Sequence, residues 1–103
     1  MGYKIVLTEL AAKDLDSITE YIAGRLSNPT AAGSFLDAVA ECFGNLETMP
    51  LIFERCRDAR LRSMGYRRAI IKNYVMIYLV TESKKTVYIF RFFYGARNYE
   101  KFL

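Results

Sequence analysis

The stretch YRRAIIKNYVMIYLVTESKKTVYIFRFFYG, residues 66–95, holds three apolar runs separated by two short polar breaks. Its Tyr, Val, Ile and Phe residues suit a pleated, half-buried surface, so the runs read as three strands. Tyr66 to Lys72 comes first and turns at Lys72-Asn73, where asparagine tolerates a positive φ. Tyr74 to Thr81 is apolar on both faces, as a central strand is. After the polar loop Glu82-Ser83-Lys84-Lys85, Thr86 to Tyr94 is again covered on both faces, until Gly95 breaks it. Strict alternation puts Val87, Ile89, Arg91 and Phe93 on one face and Tyr88, Phe90, Phe92 and Tyr94 on the other.

Upstream, the period changes. Gly2 to Leu7 alternates as a short strand. Thr8 is a helix cap, and Glu9 suits the first helical turn. Ala11, Leu15, Ile18, Ile22 and Leu26 then recur three and four apart as one apolar stripe, with Asp14, Asp16 and Glu20 in solvent. Asn28 caps a second helix with Pro29 at its first position. Ala32, Phe35, Val39, Cys42, Phe43 and Leu46 form its buried face up to Met49-Pro50. Leu51 to Gly65 has no sustained period and reads as a basic connection, with a short strand around Ala59 to Arg62. Arg97 to Leu103 is a short terminal helix or tail.

The expected fold is therefore α+β, in the order β-α-α-β-β-β. A helix hairpin covers one face of a mostly antiparallel sheet, within a single domain spanning residues 1–103. Arg91, set among apolar residues, needs a carboxylate or water. Two readings stand: it pairs with an acid of the helix hairpin, or it joins Arg67 or Arg68 in a basic groove on the uncovered face.

Composition narrows the chemistry. The chain has no histidine, which excludes Ser-His-Asp and Cys-His catalysis and HExxH zinc sites. No glycine-rich nucleotide loop is present. Cys42 and Cys56 form no CxxC pair and suit a reducing cytosol, Cys42 as a packed thiol. No apolar run approaches a membrane span, and the N-terminus lacks the pattern of a secretory leader. Residues 1–50 carry a net charge of −4 and residues 51–103 a net charge of +8, so the second half expects an acidic or polyanionic partner.

Three segments, YKIVLTELAAKDLDSITEYI (3–22), NPTAAGSFLDAV (28–39) and YGARNYEKFL (94–103), together resemble the RelE/ParE superfamily, the toxins of type II toxin–antitoxin systems. The resemblance spans Tyr3 to Leu103. It implies a cytoplasmic toxin silenced by an antitoxin encoded beside it, often serving plasmid maintenance, with no cofactor and no metal. RelE-like members are metal-independent endoribonucleases that cut mRNA on the ribosome; ParE-like members poison DNA gyrase. The nuclease pattern asks for a base on the first strand of the trio, an arginine early in the next, an arginine after the glycine turn and a tyrosine in the tail. Arg68 and Arg97 answer the first and third, and would be catalytic only in a RelE-like protein. The second position falls on Val75 or Met76 and the last near Leu103, with Tyr99 nearby but differently spaced. That departure, and the NPTAAGSF helix start, favour the ParE-like branch. There Arg67, Arg91, Tyr94, Arg97 and Tyr99 are the expected target- or antitoxin-binding residues, while a structural reading has Arg97 capping carbonyls or pairing with Glu100.

Overall fold

The structure, a computed structural model, describes residues 2–95 and 99–103. Strand β1 (Lys4–Leu7) leads into helix α1 (Glu9–Glu20), and helix α2 (Pro29–Thr48) returns antiparallel to it. A five-residue helix, α3 (Ala59–Ser63), precedes β2 (Arg67–Ile71), β3 (Tyr74–Thr81) and β4 (Thr86–Tyr94). A 3-10 turn, Tyr99–Phe102, comes last. The sheet order is β1-β4-β3-β2; β1 runs parallel to β4 and the other pairs are antiparallel. The α+β expectation holds, with α3 added.

Local chemistry sets the helix ends. The Thr8 hydroxyl accepts from the Ala11 amide at 3.1 Å and the Asn28 side-chain oxygen from the Ala31 amide at 3.0 Å, each satisfying a first-turn donor. Pro29 opens α2, where its missing N–H costs nothing. Asp58 does for α3 what Thr8 does for α1, accepting from the Leu61 amide at 3.1 Å. The strand expected around Ala59 to Arg62 is thus a helical turn, because Asp58 supplies a cap.

Between the long helices the chain makes a π turn, Tyr21–Arg25, in which the Leu26 amide donates to the Tyr21 carbonyl at 3.0 Å. The wider turn inserts a residue and rotates the chain beyond it. Leu26, expected on the buried stripe, is instead 56% exposed.

The inner faces of α1 and α2 meet Ala69, Ile71, Met76, Tyr78, Val87, Ile89 and Phe92 in the main core. The opposite face is not bare. Cys56, Leu61, Val75, Ile77 and Phe93 form a second, smaller core beneath the 51–66 connection, with Tyr66, Tyr99 and Leu103 packed against it. Burial of the Cys42 thiol in the main core, and secondarily the Glu41 charge, push its pKa up to about 11, which leaves it an inert packing group.

Tyr78 crosses the main core and donates its hydroxyl to the Pro50 carbonyl at 3.1 Å, tying down the exit of α2. Burial pushes its pKa up to about 12, against a smaller opposing pull from Arg67. An unfolded tyrosine ionises near 10, so the folded state holds this proton more tightly. The stability it lends is complete below about pH 10 and is lost between pH 10 and about 12, on the order of 2 kcal/mol. Tyr78→Phe should cost about 1 kcal/mol at neutral pH through the lost hydrogen bond and flatten that alkaline decline. Urea titrations of both proteins across this range check it; an unchanged slope in the variant refutes the assignment.

Alternation along β4 is broken. Tyr78 pairs with Ile89 but Ile77 with Arg91, so a bulge at Phe90 separates the two registers. Phe90 packs edge-on against Tyr66 and Arg91 lies 4.8 Å over Phe93, both on the second-core face, while Phe92 turns to the main core. Phe90 keeps its expected face, and the expected split of β4 into two fixed faces is corrected from Arg91 onward.

β1 stops at Leu7, leaving the outer edge of β4 open beyond Ile89. The start of α1 covers it. The Thr8 hydroxyl donates to the Phe90 carbonyl at 2.9 Å, and Asp14 accepts from the Phe92 amide at 3.0 Å and from Arg91 at 2.7 and 3.1 Å. Asp14 is thus half-buried and fully engaged, not solvated as the stripe implied. Of the two readings of Arg91, pairing with an acid of the helix hairpin is the one observed, and those hydrogen bonds raise its pKa further despite partial burial.

Candidate functional site

Two concavities meet at one end of the sheet, on either side of the β2–β3 hairpin tip and the end of β4. The hairpin turns through Lys72 at φ 57°, rather than through Asn73 as the sequence suggests. The Gly95 amide donates to the Asn73 carbonyl at 2.7 Å, and a Cβ at position 95 would stand 2.9 Å from that oxygen. Glycine is what permits the approach. It holds Tyr94 beside Tyr74, ring centroids 5.6 Å apart and nearly perpendicular, and Tyr74 packs in turn against Phe35 at 5.2 Å.

The larger cleft, about 760 Å³, lies between this tip and the helix hairpin. Tyr21, Ile22 and Leu26 supply one wall, Ala31, Ser34 and Phe35 the floor, and Lys72, Asn73, Tyr74 and Tyr94 the other wall. The smaller hollow, about 360 Å³, opens toward the second core and includes Arg68, Lys72, Tyr94 and Tyr99. Here Tyr99 stacks on Phe93 with centroids 6.0 Å apart. Burial raises the Cys56 thiol, more than its hydrogen bond with Tyr99 and the nearby Arg68 charge lower it.

Of the residues singled out in the sequence, the structure brings Arg68, Tyr94 and Tyr99 together in the smaller hollow. Arg68 pairs with Glu54 at 2.8 Å through one terminal nitrogen, while its Nε is buried with no hydrogen-bond partner among the described residues. Arg67 is elsewhere and donates to the Phe53 carbonyl at 2.7 Å, tying the basic connection to β2. Arg91 is held by Asp14 at the far edge. Arg97 lies outside the described residues. Val75 and Met76 are 2% and 0% exposed, one in each core.

Sequence reasoning missed Tyr21, Leu26 and Lys72 as lining residues, because nothing in the composition of 21–26 marks a π turn. Among the described residues, no helix is long and apolar enough to cross a membrane, and no group of three or more potential metal ligands occurs.

A helix hairpin laid across a four-stranded sheet of this order is the fold of the RelE/ParE-type toxins. The toxin–antitoxin complex RelBE2 from Mycobacterium tuberculosis is 22% identical, with a TM-score of 0.65 over 91% of this chain and 99% of that one. The chromosomal ParDE system of P. aeruginosa is 20% identical, with a TM-score of 0.69 over 89% and 95%. An archaeal RelE–RelB complex from Pyrococcus horikoshii OT3 is 20% identical, with a TM-score of 0.62 over 94% and 99%. No curated protein sequence matches the chain. Residues 5–99 match the family of the ParE toxin of the type II toxin–antitoxin system parDE, and the chain belongs to that family.

Proposed function

We propose that this chain is a ParE-like, cytoplasmic toxin of a plasmid-stabilisation system, acting on DNA gyrase and silenced by a cognate antitoxin. The observation that carries the reading is the burial of Val75 and Met76. The strand position where the nuclease pattern asks for an arginine is packed into core on either face. Arg97, Tyr94 and Tyr99 then serve as target-docking contacts, while Arg67 and Arg91 act through the shape they hold. The antitoxin brings acids to the basic second half and adds a strand to the outer edge of β2. Glu54 and Cys56 pair with the start of β2, whereas Ile70 further along is 60% exposed.

Induced alone, the chain should arrest growth, induce the SOS response and yield gyrase-trapped DNA breaks. Co-expression of the neighbouring antitoxin should relieve all three. Soluble, full-length protein accumulating in cells that grow normally rules out an active toxin.

A second reading, a metal-independent endoribonuclease acting on mRNA at the ribosome, has one observation in its favour: Arg68, whose Nε has no hydrogen-bond partner among the described residues, lines the same hollow as Tyr99. Codon-phased mRNA cuts with intact DNA would establish it instead.

A further inference from the structure

We infer that the larger cleft is the pocket by which this toxin recognises its own antitoxin. It takes one large apolar side chain from an acidic segment, and Tyr21, Leu26 and Tyr94 set which segment fits. This rests on the proposal that an antitoxin holds the chain.

Tyr21, Leu26 and Tyr94 are 45%, 56% and 56% exposed, yet they gather around one concavity with Phe35 beneath. Apolar groups left open around a cavity of about 760 Å³ are the hallmark of a protein anchor site. Both lips carry unusual backbone. One is the π turn, followed by Ser27 at φ 48°, and the other is Lys72 at φ 57°. Such irregularities concentrate at working sites, where surrounding structure maintains them.

Charge selects the occupant. Lys72 is the one charged residue among the described residues lining the cleft, and Arg25 lies 5.8 Å from the Tyr21 ring centre at the opposite lip. Among the described residues no carboxylate lines it; Glu20 sits on the outer side, beside Arg25. An apolar anchor flanked by acids therefore fits, whereas a second copy of the chain would bring its own net charge of +4. A single-stranded nucleic acid would need open ring faces to stack on. The Arg25 guanidinium occupies one side of Tyr21, and Tyr74 is packed by both Phe35 and Tyr94. The geometry suits a side chain inserted between the walls.

The test titrates the purified chain with the antitoxin encoded beside it, using wild type, Leu26→Asp and Tyr94→Ala, with far-UV circular dichroism confirming the fold. Each substitution should weaken binding about 30-fold or more. Leu26→Asp should also arrest growth in cells where antitoxin no longer rescues it. Binding within about threefold of wild type overturns the proposal, and growth arrest lost while antitoxin binding is retained would assign the cleft to the target instead. A labelled single-stranded oligonucleotide that binds wild type and not Tyr94→Ala overturns it in favour of nucleic acid. Failure of the wild-type chain to bind the antitoxin removes the underlying toxin reading as well, and is told apart by the absence of any wild-type signal.

Discussion

Added to translating ribosomes, the purified chain should leave mRNA uncut, at a rate at least about 10,000-fold below that of a complete RelE-type site. The shortfall has two parts. An electrostatic stabiliser of the reacting phosphate is missing from β3, which costs about 100- to 1,000-fold. A well-placed tail tyrosine to move the proton is also missing, which costs roughly a further 100-fold. Neither is readily restored. Val75 and Met76 are buried in opposite cores, so an arginine there would have to leave the sheet or bury its charge. Tyr99 is committed to Phe93 and the Cys56 thiol. Toeprinting of a defined mRNA against a buffer control is the check. Efficient cutting at codon boundaries would assign Arg68 and Arg97 to catalysis and overturn the proposal that gyrase is the target.

Asp14→Ala should destabilise the fold by about 3 kcal/mol, a melting temperature lower by roughly 12 to 24 °C for a domain of this size. The carboxylate accepts three hydrogen bonds, two from Arg91 and one from the Phe92 amide. Truncating it strands a partly buried guanidinium and leaves an edge amide unpaired, and losses of that kind exceed the net worth of the pair. Replacing both partners, Asp14→Leu with Arg91→Met, should recover the part of the loss that comes from the stranded guanidinium, while the Phe92 amide stays unpaired. A single variant that melts within about 3 °C of wild type would show that water serves the edge as well as Asp14 does.

Much of this fold is readable from local chemistry. Thr8 and Asn28-Pro29 mark their helix starts because capping needs only a short polar side chain and a residue lacking an N–H. The three final strands are legible because buried β-branched and aromatic runs have few other uses. Asp58 carries the same capping signal three residues before Leu61, but a five-residue helix is too short to show a period, so it reads as a strand. The bulge at Phe90 has no compositional mark at all. It arises where β4 passes beyond its pairing with β1, and it inverts which side chains meet the helices. The π turn is hidden for a similar reason: Leu26 continues the stripe in sequence but not in space. As for the site, Arg68, Tyr94 and Tyr99 are each singled out in the sequence, but in separate sets, and it is the tertiary structure that brings them to one hollow, as it brings Tyr21 and Lys72 to one cleft.

The parallel pairing of β1 with β4 also dictates the order in which the molecule can assemble. Lys4 registers against Thr86 and Leu7 against Ile89, so the first strand made must wait for the last. At synthesis rates of roughly 5–20 residues per second, that wait lasts several seconds. The helix hairpin, built from neighbouring residues, forms early; the sheet, closed by contacts between distant parts of the chain, forms late. A nascent chain thus displays an apolar hairpin before it owns either the cleft or the hollow, both of which need Tyr94. Any binder that recognises the hairpin meets this protein before either concavity exists.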